Sequence, residues 1–229
     1  MKKFEFTGET KTLFDGTVLH RIKALVRINF KTTRIEVGDI GGWIEKEENL
    51  SHNGNAWVSE NAEVYGNASV SENAEVSGSA WVSENAEVYG NASVSGNAEV
   101  YGNAEVYGNA SVSGNASVSG SAWVSGNAEV SGYAEVSGNA RVFGNASVSG
   151  AKQYLVIGPI GSRNAFTTFF RTKDGNINVA CGCFVGAIDE FLAKVRQTHG
   201  DSKHAKVYQA AVEVALAQLK DIERGNDNA

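Results

Sequence analysis

The chain has 229 residues, of which 42% are hydrophobic, with one proline and a net charge of −6 at neutral pH. It contains no run of 18 apolar residues and no apolar stretch after its N-terminal lysines, so we expect neither a membrane span nor a signal peptide. Its two cysteines, Cys181 and Cys183, are too few and too close for a disulfide framework, and we therefore expect a cytoplasmic protein.

Residues 1–36 are predicted to form a small N-terminal β cap. Residues 3–6 and 18–22 alternate in polarity, and Asp15 and Gly16 provide a hairpin turn between them. Residues 37–54 keep the six-residue register of the repeat that follows, with degraded core positions. We expect them to form its atypical first coil, so that residues 37–150 make one domain.

The dominant feature of the sequence is a six-residue repeat, Asn-Ala-x-Val-x-Gly, which runs sixteen times from residue 55 to residue 150 without an insertion. A short strict period is typical of a solenoid. Ala and Val alternate with a variable residue, so both point to one side of a strand. Gly and Asn tolerate the left-handed backbone of a tight corner. Three six-residue sides predict a triangular coil of about 18 residues, whose stacked turns share one core.

This pattern resembles the hexapeptide-repeat left-handed parallel β-helix. The resemblance implies a mainly β fold and, because such proteins commonly trimerise, a homotrimer. Some members are acyltransferases that use a histidine base and acyl-CoA, usually with a loop that interrupts the coils. Residues 55–150 have neither a histidine nor an interrupting loop, so we expect no enzyme activity and no cofactor, and we keep an acyltransferase as an alternative.

Aligning the coils assigns each variable residue to one of three sides. Serine follows the valine at every coil on one side, from Ser59 to Ser149. The other two sides carry most of the aromatic residues, which we interpret either as a cover over the strands or as an oligomer interface. The candidate interface residues are Tyr65, Trp81, Tyr101, Tyr89, Tyr107, Trp123 and Phe143.

Charge is unevenly distributed along the chain. Residues 55–150 carry ten Glu and one Arg, a net charge of −9, whereas residues 1–54 and 151–229 carry net charges of +1 and +2. An acidic rod repels a phosphate backbone, so nucleic-acid binding along the repeat is not expected. A small anionic ligand is expected to prefer the ends of the chain.

Residues 151–229 are predicted to form a small α+β domain. Residues 153–158, 166–172 and 176–184 are typical of three strands, with Asp174 and Gly175 as a turn. A helix is predicted over residues 187–197 and ends at Gly200, and a second follows a cap at Asp201 or Ser202.

The turn at residues 158–164 is the strongest candidate for a ligand site, because its glycines free the backbone and its Ser and Arg side chains donate to phosphate or carboxylate. An ordinary hairpin connection is the alternative. We expect the two cysteines to be small buried residues on one face of a strand rather than metal ligands, so no metal is expected. The candidate ligand-binding residues are Gly161, Ser162, Arg163, Asn164, Arg171, Lys173, His199 and Lys203.

Three non-repetitive segments, at residues 38–51, 154–163 and 181–184, resemble those of a set of phage and prophage proteins of unassigned role. The resemblance implies a phage origin and a place in the host cell cytoplasm. The leading hypothesis is a non-catalytic phage protein that sequesters a small nucleotide-type ligand, such as a host immune signal. The alternative is an interaction module that binds a host or virion protein.

Overall fold

The computed structural model describes residues 2–30 and 33–220. The first strands are β1 (Phe4–Thr12), β2 (Val18–Ala24), β3 (Ile28–Asn29), β4 (Arg34–Ile35) and β5 (Ile40–Ile44). β1 and β2 form an antiparallel hairpin whose turn contains Asp15 and Gly16, as the sequence predicts, and β2 also pairs with β5. Between β2 and β5 the chain forms a short second hairpin, β3–β4, which we call the β3–β4 arm.

The repeat folds into a three-sided parallel β-solenoid, because each six-residue unit contributes one two-residue strand to one of three stacked sheets. The first sheet continues the N-terminal one through β5 and contains β7 (Glu63–Val64), β10 (Trp81–Val82), β13 (Glu99–Val100), β16 (Ser117–Val118) and β19 (Glu135–Val136). The second contains β8 (Ser69–Val70), β11 (Glu87–Val88), β14 (Glu105–Val106), β17 (Trp123–Val124) and β20 (Arg141–Val142). The third contains β6 (Trp57–Val58), β9 (Glu75–Val76), β12 (Ser93–Val94), β15 (Ser111–Val112), β18 (Glu129–Val130) and β21 (Ser147–Val148).

The register between coils confirms the predicted period. Trp81 lies opposite Glu99 and Val82 opposite Val100, a spacing of 18 residues. The amide of Trp81 donates to the carbonyl of Ala98 at 3.0 Å, and equivalent bonds recur along the rod. The Ala and Val of all sixteen units are buried and form one continuous core. The third sheet is the predicted serine side, which also holds the buried Trp57, and the seven candidate interface residues lie on the other two.

The corners between strands require residues that accept positive φ. Gly96 has φ +71°, and a Cβ atom built there would lie 2.9 Å from the carbonyl oxygen of Gly114. Three units have glutamate at this position instead, Glu60, Glu72 and Glu84, with φ of 58°, 59° and 60°. The adjacent asparagines bond to one another from coil to coil, which pairs one donor and one acceptor of each interior side chain.

The C-terminal segment forms a four-stranded antiparallel sheet followed by two helices, with the strands in chain order. Its elements are β22 (Tyr154–Ile160), β23 (Ala165–Arg171), β24 (Ile177–Cys181), β25 (Phe184–Ala187), α1 (Ile188–His199) and α2 (Lys203–Leu219). Gly200 ends α1 with φ +53°, and the Ser202 hydroxyl caps α2 by accepting from the amide of Ala205, as the sequence predicts. No helix in the described part of the chain is long and apolar enough to cross a membrane.

The prediction of a single strand over residues 176–184 is wrong. The chain reverses at Gly182, which has φ +60°, so β24 and β25 form a hairpin in which Cys181 lies opposite Phe184. Cys183 is in the turn and is exposed, whereas Cys181 is half-buried. The two cysteines are therefore not buried neighbours on one strand face.

The C-terminal sheet lies between the last coil and the two helices. Phe170 and Ala180 join the solenoid core, whereas Phe169 and Val179 pack with the helices. A hydrogen bond also joins the sheet to the solenoid, since the backbone amide of Arg141 donates to the side-chain oxygen Thr168 Oγ1 at 2.9 Å. The sheet thus closes one end of the solenoid and gives the helices a surface to pack on.

Candidate functional site

A cavity of about 270 Å³ opens on the helical side of the C-terminal sheet. Three parts of the chain surround it: the β22–β23 turn, the β24–β25 turn, and the two helices. We call it the C-terminal pocket. Its lining residues are Ser162, Arg163, Ala165, Cys181, Gly182, Cys183, Phe184, Phe191, Lys194, Val195, Thr198, His199 and Tyr208.

The β22–β23 turn is held against α2 by a close backbone approach. A Cβ atom on Gly161, which has φ +73°, would lie 1.8 Å from Tyr208 Oη. Only glycine therefore fits where the turn crosses this ring. Asn164 completes the turn in the left-handed region, with φ +47°. This packing directs Ser162 and Arg163 to the pocket.

Helix α1 contributes one face to the C-terminal pocket. Phe191, Lys194, Val195, Thr198 and His199 are spaced three and four residues apart, which places them on the same side of a helix. Phe191 and Val195 are buried in the core beneath, whereas Lys194 and Thr198 are exposed. The helix thus supplies an apolar base and a polar rim.

The charged groups of the C-terminal pocket are all cationic. Arg163 and Lys194 are exposed side chains of the rim, and His199 lies beside them at the end of α1. None of the described lining residues is an aspartate or a glutamate. An anion entering the pocket therefore meets positive charge without a competing carboxylate, on a base that contains the aromatic rings of Phe184, Phe191 and Tyr208.

Tyr208 is the central polar group of the C-terminal pocket. The residue is 7% exposed, and its ring lies edge-on to Phe191, with ring centroids 5.5 Å apart. Burial, assisted by the neighbouring Cys181, raises the pKa of Tyr208 to about 12, and Arg163 opposes this shift. The phenol is therefore neutral at physiological pH and keeps its proton as a hydrogen-bond donor.

The two free thiols line the same pocket at different depths. Cys181 Sγ accepts from Thr167 Oγ1 at 3.2 Å, and its thiol donates to Tyr208 Oη at 3.8 Å. Cys183 is exposed at the tip of the β24–β25 turn. Within the described residues, no group of three or more His, Cys, Asp or Glu side chains is placed to hold a metal ion.

The structure brings together part of the predicted ligand-binding set. Ser162, Arg163 and His199 line the C-terminal pocket, while Gly161 and Asn164 shape its turn. Lys203 begins α2 and is outside the lining set.

Arg171 and Lys173 are in the wrong place for a site at this turn, because β23 carries them to its opposite end. Arg171 donates to the carbonyl of Leu219 at 2.7 Å and so binds the C-terminal end of α2. Lys173 pairs with Glu129 of the solenoid at 2.6 Å. Both residues join elements of the fold, and neither lines the pocket.

Three lining residues, Lys194, Thr198 and Tyr208, are not among the site residues predicted from the sequence. Lys194 and Thr198 do carry a signal, because they are polar positions on the helix face that also holds Phe191 and Val195. Tyr208 carries none, since its contact with Gly161 joins residues 47 apart in the chain and depends on how α2 packs.

The predicted aromatic sides contain stacked rings. On the first sheet Trp81 stacks on Tyr65 and Tyr101, with centroids 6.3 and 5.4 Å away. On the second sheet Tyr89 and Tyr107 are 5.0 Å apart and nearly parallel, which confirms that rings one coil apart stack. Trp123 is covered by the Arg141 guanidinium, 4.5 Å from its ring centroid. The rings thus cover one another along the rod and are half-buried.

Comparison with known protein families finds a similarity in the repeat. A family model described as the YdcK β-solenoid repeat matches residues 110–126 and 134–150. No curated protein matches the chain. The two matched segments lie in the last coils, next to the C-terminal sheet, and they agree with the solenoid that the structure shows there. The chain is a repeat β-helix protein, similar over these two segments to the YdcK β-solenoid repeat.

Proposed function

We propose that the protein is a non-catalytic binding protein that captures a small anionic ligand in the C-terminal pocket. The observation that carries this proposal is the combination of Arg163 and Lys194 at the rim with Tyr208 and two phenylalanine rings at the base. The guanidinium and ammonium groups would bind phosphate or carboxylate oxygens, while the rings would pack against a planar group. Tyr208 would add one neutral donor.

A nucleotide-type ligand is the class that this lining supports best, since it combines an anionic end with a flat base. We propose further that the protein acts in phage counter-defence by sequestering such a ligand from the host. This step is supported by the resemblance to phage and prophage proteins and by the rigid scaffold beneath the pocket. In this function the solenoid would hold the pocket in place and, as an oligomer, would present several copies of it.

Equilibrium dialysis against linear and cyclic adenine and guanine nucleotides, with adenosine as an uncharged control, tests the binding. We expect retention of at least one nucleotide and none of adenosine. Arg163→Gln and Lys194→Gln should each weaken binding about tenfold, as the loss of one charge-assisted bond of roughly 1.4 kcal/mol implies. Arg196→Gln makes the same charge change on an exposed part of α1 outside the lining set and should leave binding unchanged. If the protein retains none of the nucleotides, the proposal is wrong.

A homotrimer built through the aromatic sides is also part of the proposal. Its support is the half-buried stack of Tyr65, Trp81 and Tyr101. The exposed ring of Tyr133 lies further along the rod, at the corner before β19 of the same sheet. Sedimentation equilibrium should give three times the monomer mass, and Trp81→Ser should shift the distribution to smaller species. A monomer at every concentration would contradict this assembly.

Binding of a host or virion protein through the same aromatic surface is the second candidate function. The exposed side chains of Phe14, at the first hairpin, and Tyr133 favour it, because large apolar groups at a surface are typical of protein contacts. Pull-down from host lysate separates the two functions. A stoichiometric protein partner that is lost with Trp81→Ser favours the second, and an eluted nucleotide favours the first.

A further inference from the structure

A second cavity, of about 430 Å³, lies on the solenoid and shares no described lining residue with the C-terminal pocket. It runs along one corner of the coils beside the β3–β4 arm. Asparagines from four successive coils form one wall, and Phe30 belongs to the other. We call it the asparagine groove.

The asparagine wall is a hydrogen-bonded ladder. Asn55 donates to Asn73, Asn73 to Asn91 and Asn91 to Asn109, over 3.1, 3.2 and 3.1 Å. Each carboxamide has two N–H donors and two acceptor lone pairs, and the ladder uses one of each at an interior position. One donor and one acceptor therefore remain on each interior rung. Coils stack about 4.8 Å apart, so the four rungs extend over roughly 14 Å.

Glu75 adds a carboxylate to the groove. It lies on β9 at an outward position and is half-buried, and within the described residues it takes part in no ion pair. Burial, with a smaller effect of the Glu60 charge, raises the pKa of Glu75. Among the described residues no donor bonds to its carboxyl group, so its oxygens are available as acceptors beside the ladder. Phe30 contributes an apolar surface beside them.

These groups favour a ligand that is neutral and rich in hydroxyl groups. An anion would be repelled by Glu75 and by the net charge of −9 on residues 55–150. A cation would meet one carboxylate but could not bond to the row of N–H donors beside it. A hydroxyl both donates and accepts, so it satisfies the donor and the acceptor of a rung together.

We propose that the asparagine groove binds a linear neutral oligosaccharide, with sugar hydroxyls bonded to the free donors and acceptors of the ladder. One sugar packs its apolar face on Phe30, and one of its hydroxyl groups donates a hydrogen bond to the Glu75 carboxylate. The length of the ladder suits several linked sugars rather than one. This site is independent of the anion pocket and of the function proposed for it.

Titration of the full-length protein with cellohexaose, maltohexaose and hexa-N-acetylchitohexaose tests the proposal, with the side-chain amide signals of asparagine followed by NMR. We expect saturable shifts with at least one of the three sugars at concentrations up to about 10 mM, the range of a weak polar site. Asn91→Ala should weaken binding roughly tenfold, because it removes one pair of bonds and interrupts the ladder. Glu75→Gln should weaken it by a smaller factor.

Asn85→Ala is the matched control, since Asn85 is the central rung of a ladder between Asn67 and Asn103 at another corner. It should reduce folding stability as much as Asn91→Ala and leave sugar binding unchanged. Three outcomes overturn the proposal: no saturable shift with any of the sugars, equal weakening by both alanine variants, or spermidine binding that displaces the sugar signal. Failure here leaves nucleotide binding at the C-terminal pocket to be judged by its own dialysis.

Discussion

At the scale of single residues, the corner glycines limit what the repeat tolerates. Gly126 and Gly144 occupy the same corner in successive coils, with φ of +73° and +65°. A Cβ atom on Gly126 would lie 2.8 Å from the amide nitrogen of Gly144, whereas one on Gly144 would meet nothing within 4 Å. The two positions therefore share backbone strain and differ in crowding.

Alanine substitution at these two glycines separates strain from crowding. Gly144→Ala should lower the free energy of unfolding by about 1–2 kcal/mol, the cost of the left-handed region. Gly126→Ala should lower it by roughly 1–3 kcal/mol more, because neighbouring backbone must move. Thermal and urea unfolding measure both. Equal losses would show that the stacked corners are not tightly packed.

Lys3 is a buried cation near the first coil. It is 2% exposed, and its ammonium donates to the carbonyl of Ala56 at 2.6 Å. Burial lowers its pKa from 10.5 to about 8. The unfolded chain therefore binds more protons than the folded one between about pH 8 and pH 10.5, so this residue makes stability rise with pH across that window.

Lys3→Met should remove this pH dependence. The stability of the wild type relative to the variant should rise from pH 8 upward, with a slope that approaches about 1.4 kcal/mol per pH unit. Lys2→Met, on an exposed lysine that pairs with Glu47, is the control and should show no such rise. A flat difference for Lys3→Met as well would contradict the lowered pKa.

At the scale of elements, strand β23 has two buried faces with different partners. Phe169 packs with the helices and Phe170 with the solenoid core, and both are fully buried. Each substitution by alanine should cost about 3–5 kcal/mol. Hydrogen exchange should separate them, since Phe169→Ala should speed exchange in α1 and α2, and Phe170→Ala should speed it in the last coil. The same protection pattern for both would contradict the two-faced sheet.

The elements also show how far sequence alone predicts this protein. The coils are predictable because each unit repeats the same local pattern and pairs with a copy 18 residues away. The β24–β25 hairpin is not, because Cys181 to Phe184 alternate like a continuous strand and only Gly182 marks the reversal. The sequence also does not show that Arg171 lies away from the turn at residues 158–164, because strand β23 separates the two although they are close in the chain.

At the scale of the whole molecule, the structure is a rod that is closed at one end by a sheet and two helices. The pocket lies at this end, on an element that is fixed to the last coil through Arg141 and through the pair of Lys173 with Glu129. The acidic rod and the cationic pocket are therefore held at fixed positions. Anion capture in the C-terminal pocket would therefore take place where the acidic repeat stops.

The most direct test is titration of pyrophosphate into ¹⁵N-labelled protein, followed through backbone amide shifts. Capture in the C-terminal pocket predicts saturable shifts at residues 161–164, at Gly182 and Cys183, and in the second half of α1, with the coils unaffected. Arg163→Gln should reduce the affinity about tenfold, as removal of one charged contact implies. Saturable shifts confined to the coils, or none at any of these residues, would contradict the account.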